Sequence, residues 1–194
     1  MSLTLHPFSF ERVVNAVDKV NERLHRAAGA LEAAGIPYGI AGGNAVALWV
    51  ARVDETAVRN TRDVDVLLHR DDLERATKAL EAAGFVHRHL AGIDLFLDGP
   101  QGKPREAIHL IFASEQVRPE EPAPNPGITE VEAGERFKVL SLSALVQIKL
   151  TAFRDKDRVH LRDLIDVGLI DAGWESRLPA ALWIRLKELL DHPQ

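Results

Sequence analysis

Residues 42–68 read GGNAVALWVARVDETAVRNTRDVDVLL, and near the end of this stretch two aspartates interrupt an apolar run. The apolar run predicts a strand over 63–68, on which residues two apart point to the same face. Asp63 and Asp65 would then project together, and because two close carboxylates repel each other, partial burial would be costly. A divalent cation such as Mg²⁺ or Mn²⁺, which prefers oxygen ligands, would relieve the repulsion. The alternative is a half-exposed strand whose polar face carries aspartate twice.

The two glycines that open the stretch predict a tight turn between a strand over 38–41 and a helix over 44–51. Glycine lets the backbone approach a ligand closely, and the start of a helix offers free N–H groups and the positive end of its dipole. Gly42 and Gly43 therefore form a candidate phosphate-binding turn; the alternative is a turn without a ligand. A double glycine alone is a weak signal. Followed by an Asp-x-Asp strand it is more specific, because phosphate donors and metal ligands then occur in one unit.

The order of predicted elements indicates an α+β, or mixed α/β, fold with a helical C-terminal part. Helical spacing predicts a long helix from a Ser9 cap to Gly35 and another from Asp71 or Asp72 to Gly84. Further strands are predicted over 93–97, 107–112 and 137–140, and further helices over 143–153, 159–169 and 179–190. We expect a core over 1–113, a proline-rich loop or linker over 114–136, and a helical part over 137–194 packed on the core.

Composition excludes several classes of protein. The chain of 194 residues carries a net charge of −5, so we do not expect duplex DNA as its main partner. It contains no cysteine, which excludes disulfides and thiolate metal sites and is compatible with the reducing cytoplasm, the location we expect. The N-terminal residues lack a signal-peptide pattern, and no apolar run is long enough to span a bilayer, so we expect no membrane association.

The stretch 41–68 resembles the nucleotidyltransferase-fold superfamily, in a branch with toxin-like and aminoglycoside-type enzymes and many uncharacterised bacterial proteins. The residues that match its pattern are Gly42, Gly43, Ala45, Leu48, Arg59, Thr61, Asp63 and Asp65. A second stretch, 142–164, agrees through Lys149, Arg154, Lys156, Asp157 and Asp163. The resemblance implies a small mixed sheet flanked by helices. It also implies transfer of a nucleoside monophosphate from a nucleoside triphosphate (NTP) to the hydroxyl of a small molecule, protein or RNA.

The resemblance also implies roles for individual residues. Asp63 and Asp65 would bind Mg²⁺ or Mn²⁺, and Gly42 and Gly43 would bind the β- and γ-phosphates. The remaining nucleotide-binding candidates are Asn44, Arg59, Thr61 and Lys149. Each has a structural alternative: a helix cap for Asn44, a salt bridge for Arg59, a local hydrogen bond for Thr61, and for Lys149 a side chain that only reaches water. A protein partner of the toxin–antitoxin kind is a further implication.

The third carboxylate that the superfamily usually supplies from a later strand is replaced here by His109, in EAIHLIFA. Histidine can act as a base near neutral pH, can bind a metal ion as neutral imidazole, or can simply be packed in the strand. Asp94 is a candidate substitute acid, because a hairpin symmetric about Gln101 and Gly102 would pair it with His109 on one face. The alternative function is therefore a catalytically inactive relative that binds nucleotide or a protein partner.

Overall fold

The computed structural model describes residues 9–192 and consists of one seven-stranded sheet with helices on both faces. Residues 1–8, where the sequence predicts no signal peptide, lie outside the described residues. The strands are β1 Tyr38–Ala41, β2 Val64–Leu68, β3 Phe85–Leu90, β4 Ile93–Asp98, β5 Ile108–Phe112, β6 Val131–Ala133 and β7 Lys138–Leu140. The α-helices are α1 Phe10–Ala33, α2 Gly42–Ala51, α3 Leu73–Ala82, α4 Leu142–Ala152, α5 Asp155–Asp166 and α6 Ala180–Asp191.

The strands run in the spatial order β3-β4-β5-β2-β1-β7-β6. The pairs β2–β5 and β1–β7 are parallel and the remaining pairs are antiparallel, so the sheet is mixed. The predicted α+β class with a mixed sheet is confirmed. In the described part of the chain, no helix has the length and apolar character needed to cross a membrane.

Alternation along the central strand β2 divides the interior into two layers. Val64, Val66 and Leu68 pack with α1 and α3 on one face of the sheet. Leu67 packs with α2 and the C-terminal helices on the other face. Asp65 lies between Val64 and Val66, so its side chain shares the face of Leu67 and points toward α2 and the C-terminal helices.

Two strands were not predicted. Strand β3 pairs with β4 through a two-residue turn, Ala91 and Gly92, both with positive φ, which is the geometry that matches the twist of a tight hairpin. Strand β6 lies inside the stretch predicted as a loop or linker, 114–136, and pairs with β7 at the edge of the sheet. Both were missed because half of β3 is polar, without a regular alternation, and β6 is only three residues long.

The helix predicted over 159–169 begins earlier, at Asp155. Phe153 ends α4 in the left-handed conformation, with φ 48°, and this reverses the chain between α4 and α5. The Asp157 side chain then caps the first turn of α5, because it accepts a hydrogen bond from the backbone N–H of Arg154. The acidic residue in the Arg-x-Lys-Asp stretch therefore starts the helix.

Candidate active site

The turn before α2 is in direct contact with strand β2. Ala41 pairs with Asp65 across the β1–β2 ladder, and Gly42 follows with φ +64°. A Cβ atom on Gly42 would lie 1.8 Å from Oδ2 of Asp65, far inside van der Waals contact. Both the backbone conformation and the available space therefore require glycine at this position.

Two polar residues that lie next to the same turn, Thr61 and Asn44, hold Asp63 in place. The Thr61 hydroxyl donates to Oδ1 of Asp63 at 2.6 Å, and the Asn44 side-chain amide donates to the Asp63 carbonyl at 2.6 Å. Gly43 leaves room for this arrangement, since a Cβ there would lie 3.0 Å from the Thr61 side chain. The glycine turn, Thr61 and Asn44 thus orient the aspartate pair.

The parallel pairing of β2 with β5 places His109 beside Asp65. The Nδ1 atom of His109 lies 3.8 Å from Oδ1 of Asp65 and 3.9 Å from Oδ2 of Asp63, while Nε2 lies 3.0 Å from the Pro104 carbonyl. One ligand atom from each of the three side chains falls within 4.8 Å of the others. Two carboxylate oxygens and one imidazole nitrogen at this spacing form a donor set that suits a divalent metal ion.

Charges around this cluster favour the ionised form of Asp65. Burial is the largest influence and opposes ionisation, but the His109 imidazole and the positive charges of Lys149 and Lys156 outweigh it. Together they hold the pKa of the Asp65 carboxyl below its ordinary value. The pKa of His109 is raised, chiefly by Asp65, against the effect of burial. The cluster therefore carries negative charge at neutral pH and attracts a positive ion.

Lys149 lies behind the cluster, in a buried ion pair. Its Nζ is 3.0 Å from Oδ1 of Asp157, and Oδ2 of Asp157 accepts from Nε of Arg154 at 2.8 Å. Lys149 is 3% exposed and Asp157 is fully buried. Lys156, in contrast, is exposed and close enough for its charge to act on Asp65. Lys156 is thus an exposed cation whose charge acts on the cluster, and the sequence indicated it only through the Arg-x-Lys-Asp match.

Arg59 forms an ion pair with α5: its Nε lies 2.8 Å from Oδ1 of Asp163. This contact ties the loop before β2 to the C-terminal helices. Asp163 is nearly buried, whereas the Arg59 side chain is mostly exposed. The guanidinium thus has room for an additional contact, since one Nε–carboxylate bond leaves other donors available.

The predicted pairing of Asp94 with His109 is wrong by one residue. The β4–β5 register pairs Leu95 with His109, so the Asp94 side chain points to the opposite face of the sheet. There it is buried and accepts hydrogen bonds from His87, at 2.9 Å, and His89, at 3.0 Å. Burial opposes ionisation of Asp94, but the two imidazoles outweigh it and lower the pKa of its carboxyl. The structure therefore does not bring Asp94 to the cluster.

A cavity of about 940 Å³ opens beside the turn. Its walls come from α1, α2, the loop before β2 and the β6–β7 hairpin, and they mix apolar side chains such as Leu24 and Phe137 with charged ones such as Arg52 and Glu135. Asn44 and Thr61, the two residues that orient Asp63, also line it. The cavity is therefore connected to the cluster through these side chains.

One solved structure of a known protein shares this fold, and two others are less similar to it. An antigenic nucleotidyltransferase-like protein from Paracoccidioides brasiliensis has a TM-score of 0.59 and 21% identity, over 90% of this chain and 88% of that chain. ANT(2″)-Ia in complex with adenylyl-2″-tobramycin has a TM-score of 0.48 and 16% identity, over 89% of this chain and 90% of that chain. JHP933 from Helicobacter pylori has a TM-score of 0.49 and 17% identity, over 90% of this chain and 74% of that chain. At 21% identity, the likeness to the Paracoccidioides brasiliensis protein concerns the fold alone.

Sequence comparison identifies the family. No curated protein matches the chain. The family described as "Uncharacterised nucleotidyltransferase" matches residues 9–170, a span that contains the glycine turn, both aspartates, His109 and the Lys149 ion pair. Nucleotidyl transfer is the activity that this family and fold support. Because the match covers most of the chain and includes the whole cluster, the protein belongs to this family of uncharacterised nucleotidyltransferases.

Proposed function

We propose that the protein is a metal-dependent enzyme that transfers a nucleoside monophosphate from an NTP to an acceptor hydroxyl. Asp63 and Asp65 would hold the divalent ion, and the donor set fits, because its ligand atoms lie within 4.8 Å of one another and Asp65 is ionised. The bound ion would supply neutralisation of the phosphate charge and alignment of the α-phosphate for in-line displacement of pyrophosphate.

The first turn of α2 is the proposed phosphate site. The residue before the helix, Ala41, provides no side-chain cap, so the first N–H groups of α2 are available to a ligand. The Asp65 carboxylate occupies the space where a Cβ on Gly42 would lie, so a phosphate bound at this helix start would also lie beside the metal ligands. Lys156 and the free donors of Arg59 would add positive charge. This contact between the glycine turn and Asp65 is the observation that carries the proposal.

The cavity beside Asn44 and Thr61 is the proposed site for one organic substrate group. Its volume of about 940 Å³ is at the upper end of the range usual for small-molecule sites. Its walls combine apolar and charged side chains, which suits a group that has a flat apolar surface and polar edges, such as a nucleobase or a polar acceptor. The small-molecule, protein and RNA acceptors that the sequence left open all remain compatible with this cavity.

A second candidate function is nucleotide binding without transfer, with a protein partner as one form of it. The replacement of the expected third carboxylate by His109 favours it, because the group that would accept the hydroxyl proton is then changed. Both candidates predict NTP binding at the glycine turn, and only the first predicts a transferred label.

The two candidates separate in one experiment. The protein is incubated with each NTP labelled at the α-phosphate, with Mg²⁺ or Mn²⁺ and with fractionated cell extract as the source of acceptors; Asp63→Asn is the control. The first proposal predicts a labelled product that depends on Asp63. Calorimetric NTP binding that is lost in Gly42→Ala, with no labelled product from any extract fraction, would instead establish the second.

A further inference from the structure

We propose that His109 is the third metal ligand and binds through Nδ1, so that the site favours ions that accept nitrogen, such as Mn²⁺ and Co²⁺, over Mg²⁺. This inference rests on the proposed function for the location of the metal. A His109 that binds the metal cannot also act as general base. The inference follows from the hydrogen bond that already engages one of the two ring nitrogens, Nε2.

The Nε2 atom of His109 is engaged by a backbone carbonyl. It lies 3.0 Å from the Pro104 oxygen, and a carbonyl can only accept a hydrogen bond, so Nε2 carries the proton. Pro104 opens a short 3-10 turn, Pro104–Glu106, in which its carbonyl also accepts the backbone N–H of Ala107, so the turn holds this carbonyl in place. The carbonyl therefore determines the tautomer of the neutral ring.

When the ring is neutral, as a metal-bound imidazole must be, the lone pair of Nδ1 faces the two aspartates. Its distances to their oxygens, 3.8 and 3.9 Å, are too long for hydrogen bonds. Ligand atoms about 2.1 Å from one ion lie about 3 Å apart when adjacent and about 4 Å apart when opposite. An ion therefore fits among the three atoms with only small side-chain movement. A histidine whose second nitrogen donates to a carbonyl is also the usual arrangement of a metal-bound imidazole.

This geometry has two consequences. An imidazole with Nε2 bonded to a carbonyl and Nδ1 bonded to a metal has no lone pair left, so His109 cannot take the proton of an acceptor hydroxyl. Replacing an oxygen ligand by imidazole also changes metal preference, because nitrogen ligands suit Mn²⁺, Co²⁺ and Zn²⁺ better than Mg²⁺.

Pulsed electron paramagnetic resonance of the Mn²⁺-loaded protein without NTP tests the ligand directly. We expect ¹⁴N modulation from a bound imidazole in the parent and in His89→Gln, a matched control whose histidine hydrogen-bonds Asp94, on the other face of the sheet. In His109→Asp, Mn²⁺ should remain bound but the ¹⁴N signal should disappear. Calorimetry should show that the ratio of Mn²⁺ affinity to Mg²⁺ affinity falls at least about tenfold in this variant. Loss of a group that only supports a metal ligand already lowers metal affinity by about this factor.

Absence of ¹⁴N modulation in the parent, or an unchanged ion preference in His109→Asp, would overturn the inference. If His109→Asp does not fold, ¹⁵N histidine spectra of the parent with Zn²⁺ decide instead: we expect a metal-shifted Nδ1 and a protonated Nε2, and the reverse assignment contradicts us. A nitrogen-bound ion in a protein that transfers nothing would refute the proposed function alone. Transfer with an ion that is not bound to nitrogen would refute this inference alone.

Discussion

Gly42→Ala is the substitution that separates backbone strain from damage to the site. A non-glycine residue at φ +64° costs roughly 1–2 kcal/mol, because its Cβ crowds the following carbonyl. In addition, the new Cβ would lie 1.8 Å from Oδ2 and 2.6 Å from Cγ of Asp65, so the carboxylate must rotate away from its present position. Overpacking of this kind costs about 1–3 kcal/mol more. We therefore expect a total loss of about 2–5 kcal/mol in the free energy of unfolding, together with loss of metal binding.

Gly35→Ala is the matched control. Gly35 has φ +62°, nearly the same as Gly42, but nothing lies within 4 Å of its added Cβ. It should therefore lose only the strain component, about 1–2 kcal/mol, and bind Mn²⁺ as the parent does. Urea denaturation gives the stabilities and titration calorimetry the metal affinities. Equal losses of stability in the two variants, with Mn²⁺ affinity kept in both, would refute the contact between the glycine turn and Asp65.

Three further predictions concern the surroundings of the site. Lys149→Met should cost about 3–5 kcal/mol in urea denaturation, because it leaves the buried Asp157 carboxylate without one of its partners, and adding Asp157→Asn, which removes the charge but keeps an oxygen that can cap α5, should recover much of the loss; no loss in the single variant would contradict this. Asp94→Asn should lower stability by about 1–3 kcal/mol through its two histidine bonds, yet leave Mn²⁺ affinity unchanged, since its side chain faces the other side of the sheet; a change in affinity would argue against the observed register. Burial, aided by the charge of Lys149, lowers the pKa of His160 to about 4. The unfolded chain then binds more protons than the folded one, so up to about 3 kcal/mol of stability should be lost as the pH falls from 6.5 to 4, and His160→Gln should reduce that slope in denaturation measured across the range.

The contact between the glycine turn and the aspartate pair was predictable from the sequence. Gly42 and Asp65 are joined by adjacent antiparallel strands, so the turn and the aspartates had to meet once both strands were recognised. The placement of His109 on a later strand of the same sheet also followed the resemblance.

The features that the sequence did not predict depended on strand register or on partners that are distant in the sequence. One residue of slip in the β4–β5 hairpin moves Asp94 to the other face, and the eight-residue turn sequence did not fix that register. The partner of Lys149 was equally hidden, because Asp157 meets it only after Phe153 takes a left-handed conformation that an aromatic residue rarely adopts. Hydrophobic periodicity carries no information about either event.

The most direct test of nucleotidyl transfer compares two labels on the same NTP in the presence of Mn²⁺ and the acceptor fraction. With label at the α-phosphate, we predict that it appears on the acceptor at a rate that Asp65→Asn abolishes. With label at the γ-phosphate, we predict that it appears only in pyrophosphate. Label from the γ-phosphate on the acceptor would mean phosphoryl transfer, and α-label transferred equally by Asp65→Asn would mean that this cluster is not the active site; either result would contradict the account.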